Sequence, residues 1–272
     1  MDLRIRKEFG KGYNEVVVPD GKLLKFIEFG ILNLGDGEDY DESADGKEVA
    51  LVILSGRCTV KVDGETFAGI GGRKDVFSGE AYSLYIPAGR SFKVTGIGDV
   101  QIALCRAPSD LEGDVRLISP EDVRIRSVGA LNWRRDVKDI IDLRTEASHL
   151  VIGETINPPG NWSSIPPHRH DFDNLPEESD MEEVYFFKFS PGQGFGFQRI
   201  YTDDRSRDEA YVVEDGDTVI LPEGYHPVAA APGYRLYYLW ILAGEKRILA
   251  PRDDPAHAWL KNFEPIADEL GL

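Results

Sequence analysis

Cysteine is nearly absent: among 272 residues only Cys58 and Cys105 occur. Two cysteines make no disulfide framework, and a chain this long can bury a core without one. Both sit in strand-like runs, GRCTVKV and VQIALCR, and are expected as buried, reduced thiols. Long apolar runs are missing too, and none approaches the ~20 residues of a membrane helix. The opening MDLRIRKEFGKGYNEVV holds no apolar stretch of signal-peptide type, so a cytoplasmic address and no membrane partner are expected. Positive charge is scarce, with 31 Lys and Arg against 48 Asp and Glu and a formal net charge of -17. That field repels phosphate backbones and argues against a nucleic-acid partner. It also obliges any anionic substrate to find a local Arg or Lys. Helical periodicity stays weak until PAHAWLKNFEPIADELGL, which reads as a short helical tail.

Strands fill the rest. EVALVILSG (48–56), SLYIPAG (83–89), VQIALCR (100–106), LVIGETIN (150–157), EVYFFKFS (183–190) and YRLYYLWILAG (234–244) are short, rich in Val, Ile, Tyr and Phe, and bounded by Gly, Pro, Asp or Asn. Such spacing predicts an all-β sandwich or barrel. SLYIPAGRSFKVTG and DTVILPEGYHPVAA form a faint repeat whose prolines, Pro87 and Pro222, are 135 residues apart. Two tandem copies of one small β-barrel account for both the length and this spacing. The expected division is an N-terminal barrel over 1–125 and a C-terminal barrel with its helical tail over 126–272. The charged, turn-rich stretch 107–147 is read as the connector.

Five histidines are present: His149, His168, His170, His226 and His257. His168 and His170 form His-x-His, and on a strand residues i and i+2 share a face, so both imidazoles can reach one point. His226 follows Pro222 and Gly224 at a strand end. Glu183 opens the apolar strand EVYFFKFS; the acidic loop before it also holds Glu177, Glu178 and Glu182. Three imidazoles and one carboxylate suit a divalent ion such as zinc, manganese, iron or nickel, with positions left for substrate oxygens. His149 lacks a motif partner and is expected to be structural, and His257, in the tail beside Trp259, is expected at the surface or an interface.

His-x-His, then Glu, then Gly216-x5-Pro222-x-Gly224 and His226 resembles the two cupin motifs. Twelve residues separate His170 from Glu183, and Tyr225 alone separates Gly224 from His226, both unlike the common pattern. PPHRHDFDNLPEESDMEEVYFFKF, GFGFQRIYTDDRSRDEAYVVEDGD and LPEGYHPVAAAPGYRLYYLWILAG together resemble the 5-deoxyglucuronate isomerase family of inositol catabolism, a relative of the bicupin uronate isomerases. VGALNWRRDVKDII resembles that family's central segment. The resemblance implies a bicupin of two jelly-roll barrels and one divalent metal (zinc, manganese or iron) on His168, His170, Glu183 and His226. It further implies aldose–ketose isomerisation of a small sugar acid, 5-deoxy-D-glucuronate. Pro87-Ala88-Gly89 is followed by Arg90 and Ser91 in place of histidine, so the first barrel is expected to lack ligands.

The isomerisation needs a base and a cation for the substrate carboxylate. The sequence offers only weak candidates. Glu178 or Glu182 in the acidic loop, Asp203, Asp204 or Tyr201 could move the proton, and Arg199 or Arg205 could hold the carboxylate. An oxygen-using cupin dioxygenase and a non-catalytic sugar-acid-binding cupin are the alternatives. Bare sheet edges make a homo-oligomer the expected state.

Overall fold

The computed structural model describes residues 2–271. It is a β protein with one α-helix, Leu260–Leu270, at its end. The first barrel's sheet runs in the order Gly12–Val17, Glu28–Leu34, Ser91–Pro108, Lys47–Val62, Ser83–Ile86, Arg116–Ile118. The second barrel has a seven-stranded sheet in the order Arg4–Ile5, Thr218–Leu221, Glu182–Ser190, Arg235–Ala243, Leu150–Asn157, Arg135–Ile141, Arg124–Val128. A four-stranded sheet in the order Trp162–Ser163, Val228–Ala230, Phe195–Tyr201, Asp208–Glu214 contributes Val228, Ala230, Ile200 and Val213 to the same interior. Arg124–Val128 straddles the expected division at residue 125. The chain's first strand crosses to the second sheet, where Arg4 pairs with Val219. The expected N-terminal segment therefore lends residues to the second sheet at both of its ends.

The central strands are apolar on both faces because both faces are buried. In Lys47–Val62, Val49, Leu51 and Ile53 fill the first barrel while Ala50, Val52 and Leu54 pack between the barrels. In Arg235–Ala243, Leu236, Tyr238, Trp240 and Leu242 face the second lumen, and Tyr237, Leu239, Ile241 and Ala243 join the core between barrels. A one-residue slip would exchange these two cores, so the register is strongly specified. The same alternation assigns the two adjacent tyrosines: Tyr238 lines the lumen, and Tyr237 donates a hydrogen bond to Glu154 (2.8 Å), the carboxylate that also receives Arg73 of the first barrel.

Two carboxylates, Glu48 buried and Glu182 half-buried, clamp the barrels reciprocally. Glu48 of the first barrel accepts the N–H groups of Ser148, His149 and Leu150 at 2.7–2.8 Å, at the start of the second barrel's strand Leu150–Asn157. Glu182 of the second accepts those of Lys25, Phe26 and Ile27 at 2.6–2.8 Å. An acceptor-only group suits three converging donors, and an amide there would oppose one of them with its own N–H. Glu48→Gln is expected to destabilise the chain by about 3 kcal/mol, the scale of charge-assisted bonds lost in a buried site. A lowered urea midpoint would be the reading; an unchanged midpoint would reject the clamp.

Candidate metal centre

His168 lies in the two-residue strand His168–Arg169, and His170 directly follows it. Arg169 leaves on the opposite side, where it is buried in ion pairs with Glu178 (3.1 Å) and Asp203 and lies over the rings of Tyr225 and Phe172. The middle residue of His-x-His is thus an anchor that turns both imidazoles the other way. Asp171 accepts the Gly224 N–H at 2.9 Å, tying the segment of His170 to that of His226. Gly224 has φ +88°, and a Cβ there would lie 2.7 Å from the Tyr201 carbonyl, so the turn before His226 needs glycine. Gln198 donates from Nε2 to the carbonyls of His226 (2.7 Å) and Pro227 (3.2 Å).

The structure brings His170, Glu183 and His226 together, with their ligating atoms within 4.8 Å of one another. His170 Nε2 lies 3.1 Å and His226 Nε2 3.3 Å from Glu183 Oε2. His168 stands beside them, its ring 4.9 Å from that of His226 and 6.5 Å from that of His170.

The tautomers decide what this cluster wants. His226 Nδ1 meets the Gly224 carbonyl at 2.9 Å, and His170 Nδ1 meets the Met181 carbonyl. A carbonyl only accepts, so both Nδ1 atoms carry protons; the neutral His226 ring then turns a bare Nε2 toward the carboxylate, while His170 Nε2 is within hydrogen-bond reach of it. His226 Nε2 is buried and has no hydrogen-bond partner. Burial holds the His168 and His226 pKa values down at about 3, so neither ring charges to answer Glu183. Burial also opposes charge on His170, but Glu183 outweighs it and raises its pKa. Lone pairs and a carboxylate converging without enough protons between them are the donor set of a divalent cation, and carbonyl-bound Nδ1 atoms are the usual support for metal-binding imidazoles. The residues fit a metal ion.

A cavity of about 310 Å³ opens beside the cluster and includes His168, His170 and Glu183 in its wall. Tyr185, Tyr238 and Trp240 line one side, and Tyr185 and Tyr238 stack with centroids 4.5 Å apart. Trp240 can lie there because position 153 is glycine: a Cβ would fall 2.1 Å from the indole. Arg126, Val128, Arg135 and Val137, on the last two strands of the same seven-stranded sheet, also line it, with half-buried Asp253 and exposed Lys261 at the rim. No helix among the described residues is long and apolar enough to cross a membrane.

The weak candidates for base and carboxylate partner lie outside this cavity. Glu178 is wholly buried against Arg169 and the Asp171 N–H. Glu182 is the barrel clamp. Arg199 lies on the outer face, paired with Asp208 at 2.8 Å. Its strand alternates, so Gln198 and Ile200 point inward while Phe195, Phe197 and Arg199 point out. Tyr201 donates to Asp254 at 2.8 Å beneath the stacked Arg199 and Arg205. Asp203 is held by Arg169 and Tyr225, and Asp204 caps its own turn through Ser206. The cavity's cations come instead from the segment read as connector and from the tail. Alternation in RRDVKDII, with Arg135 and Val137 on one face, was the available signal.

The first barrel holds no comparable centre among the described residues. Val49 faces Ile86 and Arg106 just as Glu183 faces Leu221 and Leu242, so valine occupies the glutamate's position. Arg106, 2% exposed, fills that lumen through ion pairs with Glu42 (2.6 Å) and Glu28 (3.2 Å).

Comparison with known proteins agrees with this architecture. The KduI/IolB family matches residues 5–260. A 5-deoxy-glucuronate isomerase of Bacillus subtilis subsp. natto is 44% identical over 239 residues, 87% of this chain and 88% of its own. An IolB-like protein from Salmonella typhimurium LT2 superposes with a TM-score of 0.93 at 36% identity, over 96% of this chain and 100% of that one. A cupin 2 conserved barrel domain protein from Leptotrichia buccalis, 12% identical, superposes at 0.50 over 88% of this chain and 91% of that one, a likeness of fold alone.

Proposed function

The chain belongs to the KduI/IolB family, and from that premise we propose that it is a 5-deoxy-glucuronate isomerase of myo-inositol catabolism. It exchanges the aldehyde of 5-deoxy-D-glucuronate for the ketone of 5-dehydro-2-deoxy-D-gluconate. The observation that carries the reading is the meeting of the His170 and His226 Nε2 atoms with the Glu183 carboxylate beside a sugar-sized cavity. His168, His170, Glu183 and His226 would hold one divalent ion (zinc, manganese or iron), which when bound supplies Lewis-acid stabilisation of negative charge developing on the sugar oxygens.

The chain's own residues account for the rest. Tyr185, Tyr238 and Trp240 give the sugar a dry apolar wall. The proton must leave the hydroxyl-bearing carbon and arrive at the aldehyde carbon beside it, which needs one base within reach of both. Asp253 takes that role. Among the described residues, it and Glu183 are the acids of the cavity wall. Asp253 is directly opposite His168 in an antiparallel pair, so the two side chains project to the same face. Lys261, 2.5 Å from Asp253, keeps an ammonium at that rim.

We also propose a cytoplasmic homo-oligomer. Trp162, Phe197 and Val212 form an exposed apolar row across one sheet, in register through Ala229, which supports association.

Nuclear magnetic resonance of 5-deoxyglucuronate with the purified protein tests the function. Conversion to the ketose, stopped by a chelator and restored by one of the three metals, is expected. Oxygen uptake with cleavage would favour a dioxygenase, and saturable binding without conversion a sugar-acid-binding cupin; either would overturn the isomerase.

A further inference from the structure

We propose that Arg135 is the residue that selects for the substrate's carboxylate, an inference that rests on the sugar-acid reading of the cavity. Three cations line the wall. Arg126 is paired with Asp139 at 2.9 Å and Lys261 with Asp253 at 2.5 Å. Arg135 has no carboxylate within ion-pair distance among the described residues, in a chain where acids outnumber bases 48 to 31. An unpaired guanidinium on a cavity wall is costly unless a ligand supplies the anion. Burial already weighs against its charge.

The guanidinium is held ready. Its Nη1 donates to the carbonyls of Trp133 and Ile165, both at 3.2 Å. Ile165 stands three residues before His168, so the cation is fixed to the segment that carries the imidazoles. Nε and Nη2 make no hydrogen bond among the described residues, leaving a two-pronged donor edge of the kind that grips a carboxylate. Space for this posture is cut by Gly129, where a Cβ would lie 2.7 Å from Nη1. The cation and the imidazole cluster line one cavity. A sugar acid with its carbonyl end at the cluster and its carboxylate at Arg135 spans that space.

Arg135→Gln and Arg135→Lys are compared with wild type on 5-deoxyglucuronate and on its primary amide, with metal content and melting temperature measured alongside. The Gln variant is expected to lose about 100-fold in kcat/KM on the acid, mainly through KM, and less than about threefold on the amide, since only the acid forms the charge-assisted pair. The Lys variant should fall between, keeping charge without the fork. Equal losses on both substrates, or none, would overturn the inference. Should wild type fail to convert the acid, the functional reading fails by itself. Arg135 is then judged by calorimetry with D-glucuronate and D-glucose: a preference for glucuronate erased in the Gln variant upholds it, and a preference left intact or never present rejects it.

Discussion

His226→Ala is expected to bring turnover down about a thousandfold or more, because every electrostatic contribution assembled around the cluster depends on the ion being present. His226 supplies a buried Nε2 that nothing else in the protein satisfies. Its Nδ1 is already committed to the Gly224 carbonyl, so the ring cannot turn to another use. The same substitution makes a second, activity-free forecast. A ligand that binds only the folded state raises stability by about 4 kcal/mol at a thousand times its dissociation constant. Wild type should therefore melt lower after chelation, whereas the alanine variant should melt at the same temperature with and without chelator. Elemental analysis of the purified variant should find the ion lost. Full metal content together with wild-type turnover would remove His226 from the ligand set.

Asp253→Asn should cost between about 10² and 10⁴ in kcat, the range for loss of a general base, with KM changed little. The substitution keeps size and backbone pairing with His168, so fold and metal content should persist. A proton carried by a side chain can exchange with solvent. In deuterated water, the wild-type product should gain deuterium at its hydroxymethyl carbon, and the variant's slow turnover should lack this base-dependent route. An Asn variant within threefold of wild type, or a wild-type product free of solvent deuterium, would point to a hydride shift and leave Asp253 at the rim without a chemical role.

The three substitutions separate the parts of the site. Losing His226 removes the ion and should depress the acid and amide substrates alike. Losing Asp253 should spare the ion and the binding of both. Losing Arg135 should spare both the ion and the amide. Each variant thus has a signature that general misfolding, which lowers all readouts together, would not produce.

Parts of the site were legible along the chain because their signal is local. His-x-His needs only the two-residue alternation of extended backbone, and the alternation holds even though the regular strand is two residues long, because buried Arg169 pins the intervening position. Pro222 and Gly224 announce the turn that presents His226, and the positive φ at Gly224 is the physical reason for glycine there. Glu183 stood out from its acidic neighbours by heading an apolar strand. The structure gives each neighbour another place: Glu177 in solvent, Glu178 on Arg169, and Glu182 on the backbone of the first barrel. Arg199 misled for an equally plain reason. Its strand carries aromatic residues on its outer face, so parity alone left the lumen side open, and Arg199 belongs to the exposed side.

Strand periodicity, the acidic balance and the short motifs determined by themselves an all-β chain of two repeated barrels with one histidine-rich end. Which face of each two-sided strand becomes lumen was decided only by tertiary structure, since strands apolar on both faces carry no directional signal until a partner barrel covers one of them. Arg135 and Asp253 entered the cavity the same way. Arg135 lies near the edge of the seven-stranded sheet, and its place on the cavity depends on which face of that sheet is covered; Asp253 comes to lie opposite His168 through pairing between segments distant in the chain, which no local pattern encodes.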